Sequence, residues 1–237
     1  RSLDALDARP IRDTEGGLYP FWSPDSQSIA FFAQGKLKKV AIAAGPVQIL
    51  CDARLPLSGT WSRSDVIVFS AAAGHELYRV SATGGPATAL PADGINRERV
   101  SPSFLADGRR FLYYGRPQKL GVFVGSLDSA APTPVSEDYA TAAYIPPGYL
   151  LFLKGASTVS LGMTLFAQKV DPVTLQPGGP PMALADRIQF HSLQALGHFS
   201  ASSTGTLVYG TMPRLRTQLM WYDRDRGPIM PVGSPGS

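Results

Sequence analysis

The sequence predicts an all-β fold, a β-propeller of four-stranded antiparallel blades, and three observations predict it. The first is a recurring turn. Ser23-Pro24-Asp25-Ser26 joins an aromatic run at 19–22 to an apolar run at 29–32, and equivalent turns begin at Ser62 (S-R-S-D), Leu105 (L-A-D-G), Ile145 (I-P-P-G) and Ser202 (S-S-T-G). Proline presets φ at the first central turn position, and aspartate caps free backbone N–H groups. The second is what flanks the turns. Trp22, Trp61, Phe104, Tyr144 and Ala201 precede them, and apolar runs follow at 29–32, 66–69, 111–114, 149–152 and 207–209. These runs are too short and too aromatic or β-branched for helices, so each turn reads as a β-hairpin. The third is the period. Turn starts lie 39, 43, 40 and 57 residues apart, and a period near forty holding about four short strands is that of propeller blades. A blade buries both faces against its neighbours, which explains bulky residues at successive positions.

The elements follow in order. Residues 1–12 read as the third and outer strands of an incomplete blade, because Ser2-Leu3-Asp4 matches Ser126-Leu127-Asp128. Full blades are expected at 18–52, 57–92, 98–136, 140–186 and 197–233, which makes five and part of a sixth in one domain spanning 1–237. Gly45-Pro46, Gly84-Gly85-Pro86, Ala131-Pro132, Gly178-Gly179-Pro180-Pro181 and Gly227-Pro228 each introduce an outer strand, where a missing N–H does no harm. Residues 155–162 form an excess loop, 186–197 the longest inter-blade link, and 234–237 a polar end without a strand. The chain starts in mid-pattern at Arg1, so it reads as a piece of a longer protein.

Chemistry is harder to find. No G-x-S-x-G elbow occurs, and Gly155-Ala156-Ser157-Thr158-Val159 fails at its last position. His75, His191 and His198 lack further ligands at zinc spacing. Phosphate-binding glycine loops and the kinase signature set are absent, so no cofactor is expected and the segment reads as non-catalytic. The acids Asp4/Asp7, Glu137/Asp138 and Asp223/Asp225 lie on turns that capping and solvation explain. A net charge of +4 is mild, and the arginine groups 97, 99, 109, 110 and 214, 216, 224, 226 carry no nucleic-acid motif, so they read as solvated loops. Cys51 is the only cysteine, which forbids an intrachain disulfide and suits a half-buried, inert thiol. No run is long enough to span a bilayer.

The blocks Y-P-F-W-S-P-D-S-x-S-I-A-F-F-A, G-K-L-K-K-V, L-Y-R-V-x-A-x-G-G, F-L-A-D-G-R-R-F-L-Y and P-P-G-Y-L-L-F, which together cover nearly the whole chain, resemble TolB-like, WD-like β-propeller repeats. More narrowly they resemble the C-terminal propeller of bacterial serine/threonine protein kinases of acidobacterial type. The resemblance implies six blades, the missing hairpin coming from parent sequence outside this chain, and open apolar faces on the first and fifth blades without it. It implies a sensory or scaffold region that binds a protein, peptide or small ligand at a propeller face. It also implies a periplasmic or otherwise extracytoplasmic position on a membrane-anchored parent, with the cytoplasm left open. The alternative is the substrate-screening propeller of a prolyl-oligopeptidase-like peptidase. Two turns depart from the pattern, Arg63-Ser64-Asp65 lacking Pro-Asp-Gly and Ser26 standing where glycine is commoner; a non-glycine there costs ~1 kcal/mol.

The repeat register places Trp22, Trp61, Phe104 and Tyr144 at equivalent strand ends. As large aromatics they are expected in the inter-blade core, where truncation costs ~3–5 kcal/mol. Ligand contacts are expected instead on loops exceeding the repeat, near Arg97-Glu98-Arg99 and Phe190-His191, with no site residue assigned.

Overall fold

The computed structural model describes residues 10–43, 45–71, 76–95, 98–116, 120–155, 162–191, 195–202, 206–212, 217–223 and 227–236. Among these it contains strands and turns and no helix. The first sheet is β1 (Leu18–Trp22), β2 (Ser28–Ala33), β3 (Lys36–Ala41) and β4 (Gln48–Asp52), in that spatial order. The second is β5 (Pro56–Trp61), β6 (Val66–Ala71), β7 (Glu76–Ser81) and the two-residue β8 (Thr88–Ala89). The third is β9 (Glu98–Phe104), β10 (Arg110–Arg116), β11 (Gly121–Ser126) and β12 (Thr133–Ser136). The fourth is β13 (Thr141–Ile145), β14 (Tyr149–Lys154), β15 (Met163–Lys169) and β16 (Met182–Ile188). All pairings within these sheets are antiparallel.

Beyond them lie three two-stranded sheets. They are β17 (Phe190–His191) with β18 (Leu196–Gly197), β19 (Phe199–Ala201) with β20 (Leu207–Tyr209), and β21 (Thr217–Asp223) with β22 (Gly227–Gly236). The long link therefore contains a hairpin of its own. β22 also reaches Gly236, which corrects the expectation of a strandless end: Thr217 pairs with Gly236, and cross-strand pairing overrides the weak strand propensity of Gly-Ser-Pro-Gly. Of the incomplete first blade, 1–9 lie outside the described residues, and Pro10 to Arg12 form no strand.

The second strand of each sheet explains the unbroken apolar runs. Ala30 and Phe32 of β2 pack with Ile67 and Phe69 of β6, while Val68 points the other way onto Phe111 and Tyr113 of β10. Leu112 of β10 meets Leu150 and Phe152 of β14, and Leu151 and Leu153 face Phe199 and Leu207. Alternate residues thus serve opposite neighbours, and each fully buried side chain contributes roughly 1.5–3 kcal/mol. The β2 face turned away from the second sheet is closed as well. Phe31 is 3% exposed and Val40 2%, with Ile11 and Val47 packed against them. On β2 the expected open face of the first blade is therefore not found, whereas on the inner strand β1 the alternate residues Leu18 and Trp22 are exposed, 55% and 52%.

The innermost strands β1, β5, β9 and β13 lie side by side. Hydroxyls on alternate positions of β5 and the turn residue after it tie two of them, and the turns that follow, together. Ser58 Oγ accepts from Ser101 N at 3.0 Å, Thr60 Oγ1 from Phe104 N at 3.2 Å, and Ser62 Oγ donates to Gly108 O at 2.8 Å. Between β1 and β5 the spacing is set by Gly59, whose missing Cβ would lie 2.4 Å from Phe21 Cε1.

Candidate functional site

Four of the recurring turns close with the same backbone hydrogen bond, and the first three share one conformation. Ser26, Asp65, Gly108 and Gly148 each donate a backbone hydrogen bond to the residue three positions earlier, at 2.9, 3.2, 3.1 and 3.2 Å. Ser26, Asp65 and Gly108 have φ of 60°, 56° and 69°, the left-handed conformation that the sequence placed at the usual glycine. Asp25 accepts from Ser23 Oγ and from Gln27 N, and these two bonds, the hydroxyl first, hold its carboxyl below the ordinary value. Asp107 caps Arg109 N and Arg110 N in the same way. Partial burial pushes its carboxyl up, but those N–H groups and the Arg110 guanidinium bring it below the ordinary value.

Each turn fixes the residue before it. Trp22 pairs with Ile29, Trp61 with Ile67, Phe104 with Phe111, Tyr144 with Leu150 and Ala201 with Leu207. These are matching positions in the five inner hairpins of the repeat, so the side chains arrive at one level. All five line a single cavity of about 710 Å³, together with turn residues such as Pro24, Arg63, Pro146 and Ser202. It is a mouth encircled by the inner-strand ends.

That geometry corrects the expected core role for Trp22 and leaves part of it to Trp61, Phe104 and Tyr144, which pack against the inter-blade clusters with one side of the ring. Trp22 is 52% exposed, and Trp61, Phe104 and Tyr144 are half-buried rather than buried. The inner strand ends where the chain turns away, so a side chain there has neighbours behind it and open space in front. Trp61 is the most fixed of the four. The Lys39 ammonium lies 5.7 Å from its ring centre and donates to Ala82 O at 2.7 Å. Its indole N–H is buried without a hydrogen-bond partner, an arrangement that costs about 1–3 kcal/mol. Burial first, and the Asp171 carboxylate second, push the Tyr144 phenol above its ordinary value, so it remains a neutral donor.

Below the mouth, Ser101 Oγ donates to Ala195 O at 2.8 Å, which ties the link between β16 and β19 to the third sheet. Ser101 lies three residues from the Phe104 end of β9, about 10 Å deeper at the rise of a strand.

The loops favoured from sequence behave differently. Arg99 is buried, and its guanidinium donates to the carbonyls of Leu90 and Pro91, while Glu98 pairs with Arg116. Both are structural. Phe190 packs on the fourth sheet's core, and His191 and His198 are exposed. His75, Arg97 and most of the 155–162 loop lie outside the described residues. Among the described residues, no group of three or more His, Cys, Asp or Glu could hold a metal ion, and no helix is long and apolar enough to cross a membrane. Arg109 pairs with Asp128 and Arg110 with Asp107, so this arginine run is already spent on the fold.

Cys51 lines a second cavity, an outer groove of about 590 Å³ between the first two sheets, with Ile49, Tyr78 and Pro86. Burial first and the Asp52 carboxylate second push its thiol up to about 11, against the opposing Lys36 ammonium. The folded state favours the neutral thiol, so this contribution to stability is fully present below the ordinary thiol value and is lost as pH rises through about 11. At pH 8, iodoacetamide is expected to label Cys51 far more slowly in native protein than in urea. Equal rates would contradict the burial.

No family model matches the chain, and no curated protein matches it in sequence. Solved structures do match in shape. The putative TolB of Agrobacterium tumefaciens superposes with a TM-score of 0.61 at 18% identity, over 91% of this chain and 82% of that one. The chain is a β-propeller. TolB of Acinetobacter baumannii gives a TM-score of 0.65 at 15% identity over 92% of this chain, which spans 55% of that protein's length. A puromycin-hydrolyzing peptidase of Mycobacterium tuberculosis gives 0.50 at 15% identity, over 72% of this propeller and 29% of the peptidase.

Proposed function

We propose that this propeller is a non-catalytic binding module whose aromatic mouth takes a segment of a partner protein. One observation carries the reading: residues at one register position in the five inner hairpins of the repeat converge on a single cavity, and four of them are aromatic. Rigid aromatics with an apolar body and, in Trp and Tyr, a polar edge give large contact area at low entropic cost. About 710 Å³ lies within the range of sites that enclose several side chains. The sequence resemblance extends the proposal to a sensory or scaffold region of a membrane-anchored bacterial serine/threonine kinase, with the propeller outside the cytoplasm. A second reading, a propeller that screens substrates for a peptidase domain, is favoured by the likeness to the Mycobacterium tuberculosis peptidase. Both readings use the same mouth.

Trp22→Ala separates binding from folding. At 52% exposure the ring contributes little to the core, so the expected stability loss is under about 1.5 kcal/mol, against ~3–5 for a buried aromatic. Peptide binding measured by calorimetry is expected to fall at least tenfold. A loss of stability above 3 kcal/mol, or unchanged binding, would contradict the assignment.

A further inference from the structure

We infer that the segment held in the mouth carries a carboxylate, and that Arg63 anchors it. The inference rests on the mouth reading above and names the chemistry that the mouth selects. Among the described residues nineteen line the cavity, and of these Arg63 alone is charged. Its guanidinium is exposed on the second turn and has no hydrogen bond or ion pair among the described residues. Five other basic side chains are committed: Lys36 to Asp52, Arg109 to Asp128, Arg110 to Asp107, Arg116 to Glu98 and Lys154 to Asp138, and Arg12, Arg54, Arg79 and Lys169, which make no such pair among the described residues, do not line the mouth.

Arg63 also lines an adjoining cavity of about 540 Å³ between the first two turns, with Lys39, Asp25 and Asp65. There Lys39 is held by Ala82 O and the Asp25 carboxylate by Ser23 Oγ and Gln27 N, and Arg63 makes no ion pair with Asp25 or Asp65, so its guanidinium stays available to the mouth. An uncharged, aromatic and proline-lined cavity with one unpaired guanidinium at its rim complements a ligand with an apolar body and one negative end. Arginine meets a carboxylate through two parallel hydrogen bonds, which fixes orientation as well as attracting charge. The occupant is therefore a peptide segment with proline or aromatic residues beside a carboxylate. The carboxylate belongs either to an Asp or Glu side chain or to a C-terminus.

The probe is a pair of random twelve-residue peptide libraries, one with a free C-terminal carboxylate and one with it blocked, selected on the full chain at low salt. Selected peptides are resynthesised with Asp or Glu changed to Asn or Gln, and separately with a C-terminal amide. Binders enriched in a carboxylate next to proline or aromatic residues are expected. Arg63→Gln should weaken them about three- to tenfold, Arg63→Lys less, and both losses should shrink with salt. The effect should vanish for the peptide lacking the responsible carboxylate, which tells side chain from C-terminus. No enrichment in acids, or Arg63→Gln affinities matching the parent while Trp22→Ala and Tyr144→Ala abolish binding, would overturn the anchor and leave the mouth in place. Binding unaffected by Trp22→Ala and Tyr144→Ala would overturn the mouth itself.

Discussion

Replacing Phe152 with alanine is expected to lower the free energy of unfolding by about 3–5 kcal/mol, a large share of the roughly 5–15 kcal/mol typical of a domain. Phe152 is 1% exposed at the centre of β14. Its ring stacks on Tyr139 with centroids 3.7 Å apart and on Phe166 at 5.6 Å. It also packs in one cluster with Leu112 and Val122 of the preceding sheet, so truncation opens a cavity where two blades meet. Urea unfolding should show a lower midpoint with an unchanged slope. A loss below 1 kcal/mol would mean that the third and fourth sheets do not pack through this ring.

Gly121→Ala is expected to cost about 2–4 kcal/mol, from a backbone conformation that side chains avoid and from overpacking. Gly121 has φ of +140° at the start of β11, and a Cβ there would stand 2.4 Å from Ser136 O and 2.8 Å from Glu137 Cα. Both neighbours are backbone, so no rotamer change relieves the clash. Gly35 provides the control. Its φ is +72° with nothing within 4 Å of the added Cβ, so Gly35→Ala should cost only the backbone term, about 1–2 kcal/mol. Equal losses in the two variants would show that the close approach of β11 to the end of β12 is wrong.

The hairpins were legible because their signals are local. Pro24, Asp25, Asp107 and Gly108 act through their own backbone and nearest neighbours, and those effects do not depend on the rest of the fold. The continuous apolar second strands announced burial on both faces, which the packing of Val68 and Phe69 onto opposite neighbours realises. The mouth was not legible in the same way. Trp22 and Phe69 are both large, apolar and in strands, and sequence alone does not say that one faces a cavity and the other a blade. One available signal was position: each aromatic stands immediately before a turn, on the strand with no partner on its inner side. The β17–β18 hairpin escaped notice because its strands are two residues long, too short for periodicity to register. The extension of β22 to Gly236 depends on its pairing with Thr217, a contact between strands that composition hides.

The central claim is that the ends of the inner strands form one binding surface. Hydroxyl-radical footprinting of the full chain, with and without a saturating peptide selected on it, tests this in one measurement. Joint protection of Trp22, Trp61, Phe104 and Tyr144 is expected, with Tyr78 in the outer groove labelled equally in both states. Protection of Tyr78 and Pro86 while those four aromatics remain fully labelled would place the site in the groove between the first two blades and contradict the account.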